Sequence, residues 1–301
     1  MNGNINSANL KAEITRFLED LGADAVGFAP VDRWETGEPR ALFSPGRVWP
    51  PARTAVAAGL GLPLPVVETT PSAHHMELYR TCNRLLDEMA YKTVNYLLKR
   101  GIPASFFPRD GFGSVELLEQ KPHAAFDHRF SAYYAGLGNM GWNNSILTPG
   151  FGPRMRFVTV FLDIPLPPDE PEKKPLCIQC GLCAKLCPVQ ALKKDQQENK
   201  VIYDMKPCLK WHEQLTKEKR YPCGICIKVC PVGQDREIYG AEKRSRIYTR
   251  EKDYLQGPEG KVKSPEDILA EIEQGVTEEK EEEQLRLYLS WQHSRSHGSW
   301  K

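Results

Sequence analysis

The stretch Cys177-Ile-Gln-Cys180-Gly-Leu-Cys183-Ala-Lys-Leu-Cys187-Pro188 carries four cysteines in a C-x2-C-x2-C-x3-C-P spacing. Further on come Cys208, a 14-residue gap, and Cys223-Gly-Ile-Cys226-Ile-Lys-Val-Cys230-Pro231. A cubane iron–sulfur cluster needs four thiolates arranged tetrahedrally, and a tight C-x2-C-x2-C turn supplies only three. In two-cluster sequences the Cys before Pro serves the other cluster. That rule assigns Cys177, Cys180, Cys183 and Cys230 to cluster 1, and Cys187, Cys208, Cys223 and Cys226 to cluster 2. Zinc also suits C-x2-C, but it calls for neither a third Cys two residues on nor a following Cys-Pro. The spacing therefore predicts a bacterial two-[4Fe-4S] ferredoxin-like segment, whose chemistry is the passage of single electrons.

Around it, the chain has 301 residues, nine cysteines, 40 basic and 39 acidic side chains, and a net charge of +1. Such neutrality argues against a protein built mainly to hold nucleic acid or an anionic membrane. No apolar run reaches the roughly 18–20 residues that span a bilayer. The polar start, Met1 to Lys11, shows no export signal, so a cytoplasmic location is expected, where cysteines are not disulfide staples. From Lys173 to Cys230 there are about 12 basic against 5 acidic side chains. Two oxidised clusters would offset roughly four of those positive charges. The remainder reads as a docking face for an acidic electron donor. The ninth cysteine, Cys82, sits in a helical pattern and reads as a packed apolar thiol.

The rest divides by periodicity. A helix is expected over Ser7–Leu21 with Leu10, Ile14, Phe17 and Leu21 on one face, and strands over Asp24–Ala29 and Thr54–Leu60. A long helix follows Thr70-Pro71 as cap and first-turn proline. It sets Leu78, Cys82, Leu85, Met89 and Leu97 on one face and stops at Gly101. His74-His75, near its first turn, would face solvent. Arg156–Ile164 is rich in β-branched and aromatic residues and reads as a buried strand. Pro165–Pro175 reads as a linker. The expected organisation is an α+β core over 1–165, the two-cluster domain over 166–240, and a charged, partly helical tail over 241–301. Tail helices are expected at Pro265–Gln274 and Thr277–Trp291, the second opening on Glu278, Glu279 and Glu281–Glu283, where a helix dipole favours carboxylates.

Gly136-Leu-Gly138-Asn139-Met-Gly141 fits G-x-G-x-x-G literally. A dinucleotide site needs a strand before those glycines and a helix after them. Here HRFSAYYA precedes, and Trp142-Asn143-Asn144 with Pro149, Gly150 and Pro153 follows, which does not propagate a helix. The loop reads either as backbone approaching a flat, bulky group or as tight turns before the Arg156 strand.

The run Ala135-Gly-Leu-Gly138…Gly141, then Ile146-Leu-Thr148-Pro149-x-Phe-Gly152-Pro153-Arg154-x-Arg156, closing on Phe161-Leu-Asp163, resembles the cobalamin-dependent iron–sulfur reductases. These are the reductive dehalogenases and the epoxyqueuosine reductases. The resemblance extends from FLEDLGADAVGFAPV through both cysteine groups, over about residues 10–235. Cys208-Leu-Lys-Trp211 and Cys223-Gly-Ile-Cys226 look closer to the dehalogenases. It implies a nitroreductase-like α+β core holding a base-off corrinoid, with the clusters behind it delivering electrons. Corrinoid contacts would come from Gly136, Gly138, Asn139, Gly141, Asn143, Asn144, Thr148, Arg154 and Arg156. The proton donor would be Tyr133 or Tyr134, as in dehalogenases, or Asp127; Arg154 and Arg156 would alternatively form salt bridges at the strand edge. His123 and His128 are the nearby histidines, each read as a surface group. The chain departs from the family in four ways. It lacks the twin-Arg signal of dehalogenases and the C-terminal helical repeats of the tRNA-acting reductases. Trp142 stands where a lysine or arginine is usual, and Asp127 lies too close to the glycine loop to match the usual aspartate.

The function expected is thus a reductase of a small or nucleoside-like molecule, acting as a monomer or homodimer without membrane or nucleic-acid partners. Reduced ferredoxin or flavodoxin would supply its electrons. An electron-transfer protein serving a separate corrinoid or flavin enzyme, or a flavin reductase on the same core, would read similarly.

Overall fold

Two strands supply the centre of the core. β2 (Thr54–Gly61) and β6 (Met155–Leu162) are almost wholly buried and pair antiparallel, with Val56 opposite Val160 and Ala58 opposite Val158. Both faces of such a sheet must be covered, which explains the near-continuous apolar reading of these segments rather than alternation. β1 (Ala25–Pro30) flanks β2 and β3 (Ala104–Phe107) flanks β6, giving an antiparallel sheet in the order β1-β2-β6-β3. The computed structural model describes residues 6–35, 43–110, 124–195 and 200–240. The expected tail helices and His123 lie outside these residues.

One sheet face is covered by two helices. α1 (Ser7–Asp20) contributes Leu10, Ile14 and Leu18, and its N-terminus is capped by the Asn6 side chain, which accepts from two backbone N–H groups. The long helix, with two one-turn helices at Pro45–Val48 (α2) and Leu64–Val67 (α3) before it, is α4 (Ala73–Leu98). It contributes Leu86, Met89, Ala90 and Leu97 to the same cluster as Val56, Val158 and Val160. The other face packs Ala55, Ala57 and Phe161 against Trp34, Phe126 and Tyr134, the last from α5 (His128–Tyr134).

Three local expectations are corrected. The cap of α4 is Ser72, whose Oγ accepts from His75 N–H at 3.1 Å, while Thr70-Pro71 is a cis peptide just before it. Leu85 is 45% exposed and Leu86 is fully buried, because the helix turns its apolar face one residue further round. His75 faces inward at 1% exposure, and His128 is also buried, its ring bonded to Thr159 Oγ1 and the Pro108 carbonyl, both at 2.9 Å. Cys82 is buried as expected.

The glycine run follows a helix, α5, instead of a strand. It contains strand β4 (Asn139–Met140), paired with β5 (Ile146–Leu147) as a small hairpin. That order is the reverse of a dinucleotide site. A Cβ on Gly138 would lie 2.0 Å from the Leu147 carbonyl oxygen and one on Gly136 would lie 2.3 Å from that of Glu170, so these glycines let the chain approach itself.

The Pro165–Pro175 stretch is strapped to the core. Asp169 accepts from Lys11 Nζ at 2.6 Å and from Phe28 N–H at 2.9 Å, and its own N–H donates to the Phe28 carbonyl at 2.8 Å. Beyond it come α6 (Leu182–Lys185), the hairpin of β7 (Leu192–Asp195) and β8 (Lys200–Tyr203), α7 (Met205–Lys217), α8 (Ile225–Lys228) and α9 (Asp235–Ile238). The described residues belong to one compact unit, Met1–Glu242. Among them no helix is long and apolar enough to cross a membrane.

Candidate iron–sulfur site

Each cysteine loop turns through a left-handed glycine into a single helical turn. Gly181 (φ 73°) opens α6 within the first loop and Gly224 (φ 66°) opens α8 within the second. α7 presents Cys208 from a helix capped by Asp204. All eight cysteines of the two groups are free thiols.

Their mutual electrostatics show which thiols lie near one another. The Cys183 thiol is pushed up to about 11, first by burial and then by the neighbouring Cys230, Cys180 and Cys177. Cys230 reaches about 11 through burial, with the Val232 N–H and Arg154 opposing and Cys180 and Cys177 adding. On the other side, Cys223 is raised to about 11 by burial, with Cys208 and Cys187 adding to the shift. Cys226 is pushed higher still by burial and by Cys223, Cys208, Cys183 and Cys187. Cys183 thus has Cys177, Cys180 and Cys230 as neighbours, while Cys226 feels Cys187, Cys208 and Cys223 together with Cys183. Thiols this reluctant to ionise become thiolates only where strong positive charge compensates, which iron supplies.

A second observation fits a cluster. The indole Nε1–H of Trp211 is buried and, among the described residues, has no partner within ordinary hydrogen-bond geometry other than sulfur. It lies against the Cys223 thiol, which it holds down. A buried donor is costly unless something accepts it, and a cysteine sulfur that ligates a cluster is a suitable acceptor. Tyr203 stands in the same relation to Cys208, and Ala191 N–H donates to Cys187 Sγ at 3.3 Å. His212 completes this shell. Its Nε2 accepts from Cys223 N–H at 3.4 Å and lies 4.0 Å from Cys208 Sγ, and burial lowers the ring to about 4. Tyr203 and His212 escaped the sequence reading, although the i, i+4 spacing of Cys208 and His212 on one helix is visible there. Among the described residues no three His, Cys, Asp or Glu side chains are gathered to hold a single metal ion.

The core grips the second loop by its carbonyls. Thr70 Oγ1 donates to the Cys223 carbonyl at 2.5 Å, and Asn143 Nδ2 donates to that of Cys226 at 3.3 Å. Arg154, with no exposure, directs its guanidinium at the Ile227, Cys230 and Val232 carbonyls, at 3.3, 3.0 and 2.7 Å, and at both oxygens of Asp235. Gly152 is required beside it, since a Cβ there would sit 1.9 Å from the Val232 carbonyl oxygen. A small cavity of about 20 Å³ lies between Trp142, Asn143 and Leu147 and Cys177, Cys180, Cys183 and Cys230.

The residues expected to contact a corrinoid are engaged otherwise. Arg154 has no donor left for a corrinoid, and its pair with Asp235 is the salt bridge expected as the alternative, buried instead of at the strand edge. Arg156 bonds Asn83 Oδ1 at 2.6 Å and Asp110 at 3.1 Å, and its guanidinium lies over the Tyr79 ring at 4.2 Å. Asn139 spans the Lys174 carbonyl and the Leu176 N–H, at 2.6 and 3.0 Å. Thr148 Oγ1 bonds within its own turn, and the Asn144 carbonyl accepts from Arg129 at 2.8 Å. Asn143 and the glycines hold neighbouring loops together. These side chains fasten the loops around the glycine run. Of the proton-donor candidates, Asp127 caps α5 and is clasped by the Arg129 guanidinium. Tyr134 packs on Trp34 with ring centroids 4.6 Å apart, and Tyr133 is half-buried beside it.

Comparison with known proteins agrees with this geometry. Residues 176–233 match the 4Fe-4S double cluster binding domain. The tetrachloroethene reductive dehalogenase of Dehalobacter restrictus is 32% identical over 155 residues, covering 48% of this chain and 26% of that protein. The epoxyqueuosine reductase of Bacillus cereus is 24% identical over 230 residues, 66% of this chain and 55% of that one. The chain therefore spans about a quarter of the dehalogenases it matches and about half of the epoxyqueuosine reductases. Among solved structures, a reductive dehalogenase described as performing B12-dependent dehalogenation superposes with a TM-score of 0.58 at 20% identity, over 85% of this chain and 38% of that one. An epoxyqueuosine reductase with a modified tRNA stem loop gives 0.53 at 20% identity, over 74% and 65%. The chain is a homologue of the reductive dehalogenases and epoxyqueuosine reductases, with a 4Fe-4S double cluster segment on a core of their fold.

Proposed function

We propose that this protein is an iron–sulfur, cobalamin-dependent reductase whose two [4Fe-4S] clusters deliver electrons to a base-off corrinoid that reduces a small or nucleoside-like substrate in the cytoplasm. The observation that carries the reading is the second cysteine loop held by the core through Thr70, Asn143 and Arg154. An electron wire is clamped directly to the domain that would use the electrons. When bound, the corrinoid supplies a metal centre that takes single electrons and acts on the substrate. No step is assigned to Gly136, Gly138, Asn139, Gly141, Asn143, Asn144, Thr148, Arg154 or Arg156 beyond holding the surrounding loops.

What the chain's own residues do follows from their surroundings. Cys177, Cys180, Cys183 and Cys230 hold one cluster, and Cys187, Cys208, Cys223 and Cys226 the other. Cys223 is buried and Cys226 half-buried, which lowers the dielectric around the second cluster. Tyr133, half-buried beside the glycine loop, is the favoured proton donor, because the oxygens of Asp127 are taken by Arg129. A solved relative holds a tRNA stem loop, so near-neutral overall charge does not by itself separate a nucleoside within RNA from a small molecule as substrate.

The test is anaerobic purification with iron, sulfide and hydroxocobalamin reconstitution. Corrinoid absorbance co-eluting with about eight irons per chain supports the reading. Brown, folded protein that never retains corrinoid refutes it and favours the electron-transfer alternative.

A further inference from the structure

The histidine that α4 turns inward is tied to the second cysteine loop through one hydroxyl. Thr70 Oγ1 lies 2.5 Å from the Cys223 carbonyl oxygen and 3.0 Å from His75 Nδ1, with the Pro222 carbonyl oxygen at 3.4 Å. A threonine hydroxyl has one proton, and a carbonyl oxygen only accepts. That proton therefore goes to Cys223, and Thr70 meets the ring as an acceptor, which requires Nδ1 to carry the ring proton. The other ring nitrogen, Nε2, has no partner among the described residues, so nothing there competes for that proton.

What Thr70 holds bears on a ligand sulfur. A trans peptide unit is planar, so fixing the Cys223 carbonyl also fixes the Gly224 N–H on the opposite side. Gly224 then turns through φ 66° into α8, and the next amide, Ile225 N–H, bonds the Cys223 sulfur. The loop is pressed onto the pair: a Cβ on Gly224 would lie 2.8 Å from Thr70 Oγ1 and 3.0 Å from His75 Cε1. Lys228 Nζ donates to the Thr70 carbonyl at 3.3 Å and closes the arrangement from the far end of α8. Both Thr70 and His75 are buried, so the two bonds are made away from bulk water.

We propose that His75 is a positioning residue for cluster 2: its Nδ1–H directs the Thr70 hydroxyl onto the Cys223 carbonyl and so sets the amide that bonds the Cys223 sulfur. The proposal rests on the reading of Cys187, Cys208, Cys223 and Cys226 as the ligands of one cluster. Hydrogen bonds in series polarise one another, so the Thr70 bond is stronger with the ring behind it. Without the ring, the hydroxyl is free to turn towards Pro222, and the loop amide loosens. Hydrogen bonds to ligand sulfur favour the reduced, more negative cluster. The pair thus raises the potential of one cluster and leaves the other untouched.

The test is an anaerobic redox titration of the full chain carrying both clusters, monitored by electron paramagnetic resonance. Thr70→Val removes the hydroxyl and His75→Phe the ring N–H, each close to its parent in volume. Each should lower one midpoint potential and leave the other. At a fixed ambient potential the reduced-to-oxidised ratio of that cluster should fall about threefold, a shift of about 28 mV at about 59 mV per tenfold change for one electron. Because His75 acts through Thr70, the double variant should match Thr70→Val alone. Thr70→Ser keeps the hydroxyl and His75→Asn keeps an N–H able to reach it, so both should hold the parent potentials. If His75→Phe sheds a cluster, retention of about eight irons by His75→Asn supports the relay, and loss from both overturns it. Unchanged potentials in the removal variants overturn the proposal, as do additive shifts in the double variant or a fall in both potentials. A parent chain that holds fewer than about eight irons fails the two-cluster reading separately.

Discussion

Arg154 and Asp235 form a buried ion pair with Nε–Oδ2 and Nη2–Oδ1 distances both 2.6 Å, and neither side chain is more than 4% exposed. The pair joins the start of β6 to the helix after the last cluster cysteine. It is satisfied on every side, with three backbone carbonyls taking the remaining donors. Removing one partner strands the other charge in a dry site. Asp235→Asn should therefore cost about 3–5 kcal/mol of stability, read as a fall in the denaturant midpoint. Arg154→Lys should also destabilise, because an ammonium lacks the fork. A change within about 0.5 kcal/mol in either variant would contradict the clamp.

Ligand pairing is tested by iron content. Cys177→Ala and Cys208→Ala belong to different sets, so each should lose one cluster and drop from about eight irons to about four. The double variant should lose both. Cys208→Ala retaining two intact clusters would refute the assignment.

Trp211→Phe keeps an aromatic ring and deletes the N–H facing Cys223. Hydrogen bonds to cluster sulfur favour the reduced, more negative state, so one of the two midpoint potentials should fall while iron content holds. A bond worth about 0.5–1.5 kcal/mol corresponds to a shift of about 20–60 mV for one electron. A redox titration monitored by electron paramagnetic resonance reads it, and an unchanged pair of potentials would show that the indole donates elsewhere.

Acid sensitivity should come from inward histidines. His75 is lowered from 6.5 to about 4, chiefly by burial, with Arg156 and Lys228 adding repulsion and a backbone bond to Pro222 opposing. Between those values the unfolded chain holds a proton that the folded chain refuses. Stability should thus fall as pH drops from about 6.5 towards about 4, by up to about 3 kcal/mol from this group, and level off below. His128 is shifted the same way by burial. His75→Gln should flatten the slope without abolishing it, as measured by denaturant unfolding across that range.

Much of this was readable from residue patterns. The cysteine spacing carried the cluster sets because ligand geometry constrains spacing tightly. Pattern and composition placed α1, β2 and β6 within a residue or two, since α1 buries one face and both strands are buried almost throughout. It failed where the signal was tertiary. Leu85 and Leu86 are equally apolar, and only packing against the sheet selects Leu86. Arg154 reads as a surface cation until Asp235, 81 residues later, closes on it. HRFSAYYA gave no clear pattern because α5 is short and its polar residues His128 and Ser131 are buried. The glycine loop resembled a ligand cradle because backbone meeting backbone and backbone meeting cofactor demand the same residue.

The grip of Thr70, Asn143 and Arg154 on the backbone of the second loop bears on how such proteins diversify. All three hold carbonyl oxygens, which every sequence possesses, so side chains between the cysteines can vary, Gly224 apart, while the loop's path cannot. The cysteine segment is therefore a poor cassette. A foreign two-cluster segment grafted here would keep its clusters yet lose its seat, unless its second loop followed the same trace against β6 and the residues before α4.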